Sequence, residues 1–292
     1  AFARFFAIWS GGSVEASRTA LGELENTVFS RMAHSGLVET AAALQSLLEG
    51  RWRLALQQAE HLRDRLAERE VHGLRPVASA VLAFAFAALG EREEAVRAIR
   101  EAERPQHGLA QAVIGTVRLL TLRARGWLLD RESLAEGITE ARRLAGWAAE
   151  EGLADIELKA LHTGLLMAPQ EFEAMLPRID ALATRTELPL GALLAQHSHE
   201  ILEGAKAWDS PTARSLAEFG IWMPLPPTTK LSEREREIAL LAALGYSSRW
   251  IADQYYLSVR TVETHLSHVF TKLGASNRDE LRLWFRRERQ SV

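Results

Sequence analysis

"AFAFAALGEREEAVRAIREAERP", residues 83–105, carries two helical stretches joined across Gly90. Small and apolar residues fill the first. In the second, Ala95, Ile99 and Ala102 recur at helical steps, and Pro105 terminates it. Working outward, "EGRWRLALQQAEHL" (49–62) repeats the pattern, with Gly50 before Ala55 as Gly90 stands before Ala95. The register extends to Ala16, Ala135, Ala174 and Ala213, with successive gaps of 39, 40, 40, 39 and 39 residues. Each of these alanines follows a breaker or a polar turn. A small side chain at such a point lets the two helices of a pair approach closely. Residues 1–220 show almost no alternation of the kind that marks strands.

A period near 40 residues with two helices per unit is the pattern of an α-solenoid. The stretch 83–105 resembles a tetratricopeptide repeat. The other units match it less well, and the period exceeds the roughly 34 residues of that family. Stacks of this kind present a concave surface to a peptide, a protein partner or a small effector. Trp52, Trp127, Trp147 and Trp208 are candidates to line such a groove, with inter-helix core as the more ordinary expectation for each. His61, His107, His162, His197 and His199 show no metal-ligand spacing, and "HSH" at 197–199 reads as surface.

Composition narrows the classes. The 292 residues are 47% hydrophobic and 25% charged, with a formal net charge of -3, so no global basic field marks a nucleic-acid binder. The charge is unevenly placed. Residues 230–292 hold 11 Lys/Arg against 8 Asp/Glu, a balance of +3, leaving -6 for the rest. Absence of cysteine excludes disulfides, thiol nucleophiles and cysteine metal sites, and fits a reducing cytoplasm. The longest apolar run, 77–90, has 14 residues, too short for a bilayer. The apolar start "AFARFFAIW" lacks a charged leader region and reads as a helix entered part-way. There is no GxxxxGK[ST] phosphate loop, and neither a cofactor nor a catalytic constellation is expected.

"IWMPLPPTTK", 221–230, carries Pro224, Pro226 and Pro227, which favour an extended linker and place the domain boundary there. Four helices follow, marked by their caps. Ser232 and Glu235 form a capping-box pair, and that helix carries Ile238, Leu241 and Leu244 up to Gly245. Ser247 or Ser248 caps a short helix with Ile251, Ala252 and Tyr255. Ser258 caps a longer one whose buried stripe is Val259, Val262, Leu266, Val269 and Leu273, ended by Gly274. A fourth helix begins near Asn277.

Two short helices, a tight turn and a longer helix with a polar outer face describe helix-turn-helix geometry. "LSEREREI", "GYSSRWIA", "LSVRTVETHLSHVFTKLG" and "SNRDEL", over about 231–285, resemble the LuxR-type DNA-binding domain, with "TVETH" and "KLG" as the strongest marks. Behind a long helical-repeat region, this also resembles the C-terminal portion of the large MalT-like (LAL) regulators. The resemblance implies an all-α chain: a tetratricopeptide-like α-solenoid over 1–220, a Pro-rich linker over 221–230 and a four-helix LuxR-type helix-turn-helix domain over 231–292.

Carried over residue by residue, it implies base reading by Glu263, Thr264 and Ser267. Contacts to the DNA backbone would come from Ser232, Ser247, Arg249, Arg260, Thr261, His265, Lys272 and Arg278. Members commonly have Lys or Arg where this chain has Glu263. A carboxylate in the groove has one good use, accepting from the N4 amino group of cytosine. The alternative is a solvated residue paired with Arg260. Trp250 stands where the family more often has a polar residue and would pack against the linker. Leu281, Trp284 and Phe285 read either as bundle core or as the seam of a homodimer on DNA. The resulting expectation is a cytoplasmic, nucleoid-associated, non-enzymatic transcription regulator that binds double-stranded DNA, with an unknown effector or protein partner at its repeats and no membrane. The main rival is an interaction scaffold whose terminal domain binds protein.

Overall fold

The computed structural model describes residues 1–28, 36–68, 73–104, 110–186, 188–208, 210–224, 231–273, 277–278 and 281–282. Every regular element among them is a helix. They follow in pairs: α1 (Phe2–Gly11) and α2 (Val14–Val28), α3 (Leu37–Leu48) and α4 (Trp52–Glu68), α5 (Arg75–Leu89) and α6 (Arg92–Ala102), α7 (Gln111–Leu128) and α8 (Arg131–Glu150). α9 (Ala154–Met167) is followed by α10 (Pro169–Phe172), one 3-10 turn and α11 (Leu176–Thr186), then α12 (Pro189–Leu202) and α13 (Ala213–Ala217). Prolines at the first turn start α5, α10 and α12, where a missing N–H costs nothing, and Asp130 caps α8 by accepting from the Ser133 amide. Helices adjacent in the chain pack together. The first helices of successive pairs, α1, α3, α5, α7 and α9, also touch in that order. The row curls back on itself: Lys159 Nζ of α9 donates to the Ser10 carbonyl at the end of α1, and Leu188 lies against Gly11.

The six register alanines do not share one role. Ala55, Ala95 and Ala213 are buried between helices, but Ala16, Ala135 and Ala174 are exposed. In those three units another residue makes the close approach. Ser17 replaces Ala16 at the buried position, one residue along. Gly137 replaces Ala135, and a Cβ there would come 2.7 Å from the Met167 sulfur. In the fifth unit the small residue moves to the first helix: Gly164 receives the Phe172 ring, whose Cζ would lie 2.3 Å from an added Cβ. The spacing thus marks where second helices begin better than it marks which side chain is inside.

After α13 the chain does not leave as a solvated linker. Ile221, Trp222 and Met223 are buried, contrary to the boundary expected at 221. Their large apolar side chains gain more from burial than a spacer would from solvation. The Val14 amide donates to the Glu218 carbonyl, and Trp222 Nε1 donates to the Leu48 carbonyl at 2.9 Å. The segment therefore runs back along the ends of the early helix pairs. Of the expected linker, 225–230 lies outside the described residues.

The last three helices, α14 (Glu233–Ala243), α15 (Ser248–Tyr255) and α16 (Val259–Leu273), rest on those same ends. Their core residues Ile238, Ile251, Val262, Leu266 and Val269, with Leu281 beyond α16, belong to one continuous apolar cluster with Trp52, Ala83 and Trp222. A second cluster occupies α7 to α13. The repeat glycines carry a double duty here. Gly50 (φ +72°) and Gly90 (φ +82°) end their helices in the left-handed region, where a Cβ is penalised. They are also contact points: a Cβ would meet the Trp222 ring at 2.8 Å and Arg236 Nη1 at 2.3 Å.

Candidate nucleic-acid interface

α14 is capped as its sequence predicts. The Glu235 amide donates to Ser232 Oγ, and the Ser232 amide donates to Glu235 Oε2 at 2.7 Å. Ser247, not Ser248, caps α15 through the Trp250 amide. Ser258 Oγ accepts from the Thr261 amide at 3.0 Å and starts α16. The turn between α15 and α16 passes through Tyr256 at φ +51°. Val262, Leu266 and Val269 bury one stripe of α16 against α14 and α15. Val259, expected in that stripe, is 44% exposed, because it opens the helix before α14 and α15 can cover it.

The opposite stripe is open. Arg260, Glu263, Thr264, Ser267 and His268 are exposed. Ser232, Ser247 and Arg249 are exposed on the neighbouring caps, with Thr261 and His265 partly so. The structure therefore brings the three expected base readers onto one face, flanked by backbone candidates. The Lys272 side chain lies outside the described residues, as do Trp284 and Phe285. Leu281 is fully buried in the domain's own core, so its surface is not available to a dimer seam.

Local bonds set what each reader has to offer. Glu263 does not pair with Arg260; its Oε1 accepts from Ser248 Oγ, and Ser248 in turn accepts from Arg278 Nη2. Arg278 Nη1 also donates to the Tyr246 carbonyl. Arg278 thus closes the helix-turn-helix from inside with two of its N–H groups. Glu263 Oε2 is left without a protein partner among the described residues. Thr264 donates its hydroxyl hydrogen to the Arg260 carbonyl at 2.9 Å, which leaves a methyl and an acceptor oxygen for a base edge. Burial, then the Arg234 charge, lowers the His265 pKa, so this ring is neutral at neutral pH and meets DNA as a hydrogen-bonding group.

The domain reaches the repeats through its other side. Trp250 stacks on Tyr246 at 4.1 Å, and Tyr246 tilts against Trp222 at 6.4 Å. Trp250, expected against the 221–230 segment, thus packs on Tyr246, and it is Tyr246 that touches that segment. Tyr255 donates to the Gly50 carbonyl at 3.3 Å, Arg214 Nε to the Leu244 carbonyl at 2.8 Å, and Arg53 stands 3.6 Å from the buried Glu237 carboxylate. Tyr246 and the arginines at this junction gave no sequence signal. Nothing in a short polar helix end declares which distant turn it will meet.

Along the repeats, Trp52 and Trp208 are core, the more ordinary of the two expectations, while Trp127 lines a cavity and Trp147 lies under Arg118. His199 is at the surface beside Asp180, but His197 is fully buried and hydrogen-bonded to His162 at 2.8 Å. No metal-binding group of His and carboxylates occurs among the described residues.

Residues 229–285 match the family described as bacterial regulatory proteins, luxR family. Over 55 residues the chain is 47% identical to the oxygen regulatory protein NreC of Staphylococcus aureus strain JH9, and equally to that of strain USA300. Each match covers 19% of this chain and 25% of the relative. The chain thus spans about a quarter of the length of the curated relatives it matches. No solved structure matches it. The C-terminal region is a LuxR-type helix-turn-helix domain.

Proposed function

We propose that the protein is a DNA-binding transcription regulator. α16 enters the major groove, and the helix pairs before it form a tetratricopeptide-like solenoid that senses an effector or holds a partner. The observation that carries this reading is the open face of α16. Arg260, Glu263, Thr264 and Ser267 are exposed together on a helix whose other stripe is locked into a helix-turn-helix. The family match over 229–285 supports it. Glu263 Oε2 would accept from cytosine N4, Thr264 would touch a thymine methyl, and the arginines and capping hydroxyls would offset phosphate repulsion.

Docking on the repeats leaves the reading face uncovered. Control therefore works through how two such domains are spaced on paired half-sites in a homodimer, not through covering α16. Helical repeats ahead of a LuxR-type domain support a MalT-like architecture acting at the nucleoid, in the cytoplasm. No helix among the described residues is long and apolar enough to cross a membrane.

The test is selection of random duplex DNA on the full chain, wild type beside Glu263→Gln. A paired motif should be enriched. The variant should change preference at one position per half-site, from C·G toward A·T, because an amide suits adenine N6 and N7. The cost at the original base should be about 1–3 kcal/mol. An unchanged motif removes Glu263 from the readers. Affinity without a salt slope of about -0.9 per phosphate neutralised would favour the scaffold instead.

A further inference from the structure

A cavity of 160 Å³ lies where α7, α9 and α12 meet the 220–224 segment. Trp127, Leu166, Met167, Leu194, Ile221 and Trp222 supply apolar wall, and Arg123, Lys159, His162 and Thr163 supply the polar side. Arg123 is a cation without a counter-ion. Its Nη2 donates to the Gly220 carbonyl at 3.3 Å and its guanidinium lies 4.8 Å over the Phe84 ring, and no carboxylate pairs with it among the described residues. Burial pushes its pKa down to about 10. Lys159, buried beside it, has one carboxylate partner, Asp155 at 3.3 Å. His162 is kept neutral by burial, then by His197 and by Arg123 itself. Two cations against one carboxylate leave one positive charge in excess.

An uncompensated charge in an apolar cavity is costly unless something pairs with it. We propose that this cavity binds a small organic monocarboxylate with an apolar body, its carboxylate on Arg123 and its body against Trp127 and Trp222. Size sets the class: an apolar cavity of about 150 Å³ holds a benzene-sized guest. Charge sets it too, since a dianion would be left half neutralised. The site is also placed to act. The Gly220 carbonyl that Arg123 holds, and the Trp222 that walls the cavity, belong to the segment on which Tyr246 of the helix-turn-helix rests. A carboxylate competing for Arg123 would loosen or re-seat that segment.

This deepens the effector part of the function proposed above, but the test needs no DNA, so the two can fail separately. Calorimetry on the full chain compares benzoate, benzyl alcohol and inorganic phosphate. Benzoate should bind about 10- to 100-fold more tightly than benzyl alcohol, the scale of hydrogen bonding to a charged group. Phosphate should not displace it. Arg123→Met should bring benzoate down to the level of benzyl alcohol and leave benzyl alcohol unchanged. Hydrogen exchange at residues 220–223 should change on adding benzoate. No benzoate binding, equal binding of the two ring compounds, or displacement by phosphate would overturn the proposal. Full benzoate affinity in the variant would do the same. If Arg123→Met does not fold, the wild-type preference decides alone. Unaltered exchange at 220–223 would overturn the link to the helix-turn-helix.

Discussion

Trp222→Ala tests whether the helix-turn-helix and the repeats are one cooperative body. The indole is 3% exposed, donates to Leu48 and meets Trp52 at 5.7 Å and Tyr246 at 6.4 Å. Truncating a buried Trp costs about 3–5 kcal/mol, a range that already includes lost transfer energy and the residual cavity. The orphaned Leu48 carbonyl adds at most about 1–3 kcal/mol, less if water enters the cavity. Collapse can recover only part of this, because the ring neighbours Trp52 and Tyr246 are themselves packed against Phe84 and Trp250. At roughly 2–4 °C per kcal/mol, the junction should melt about 6–20 °C lower. Scanning calorimetry is the assay. Wild type should melt in one transition, since a single apolar cluster runs through both parts. The variant should split, with the helix-turn-helix leaving first. A loss below about 1 kcal/mol, or a single transition shifted as a whole, would refute the view that Trp222 holds the two together.

Gly164→Ala should destabilise by about 1–3 kcal/mol in urea titration, because the new methyl meets the rigid Phe172 ring; a neutral result would mean that ring moves freely. Ser232→Ala removes the Oγ that accepts from the Glu235 amide, while the backbone amide of residue 232 still donates to Glu235; it should cost about 1 kcal/mol by the same titration and leave the selected DNA motif unchanged. Burial holds His162 and His197 below their ordinary value, so the unfolded chain binds more protons there and stability must rise with pH through that window. Urea midpoints should therefore be level above about pH 6.5 and fall below it. Asp130 does not confuse this: burial raises its pKa, but hydrogen bonds from Arg92 and Ser133 prevail and hold it at about 2. A midpoint that climbs on acidification to pH 5.5 would contradict the buried pair.

The helix-turn-helix was the most legible part of the sequence, because its information is local. Caps at Ser232, Ser247 and Ser258 and the stripe Val262, Leu266, Val269 are read within one turn of themselves. The repeat spacing located the second helices but misassigned Ala16, Ala135 and Ala174. A helix pair needs one small residue at its crossing, and either helix can provide it, as Gly164 does for Phe172. The prolines of 221–230 announced a linker, yet Ile221, Trp222 and Met223 went inside because their partners lie far back in the chain. His197 was read as surface from its polar neighbours. Only the fold brings His162 to it across 35 residues. The cavity cations were invisible for a related reason: in an arginine-rich chain, Arg123 differs from its neighbours by what does not stand beside it.

The bond from Trp222 to Leu48 spans 174 positions of chain. A ribosome adding about 5–20 residues per second needs roughly 9–35 s to travel that far. Throughout that interval the end of α3, and from part-way through it the end of α5, exist without the segment that will cover them. Their exposed apolar ground is then a temporary liability to any chaperone or neighbouring nascent chain. The finished molecule keeps a record of this timing in where its glycines fall. Gly50 and Gly90 are made early, and their bare backbones wait for the last part of the chain to arrive.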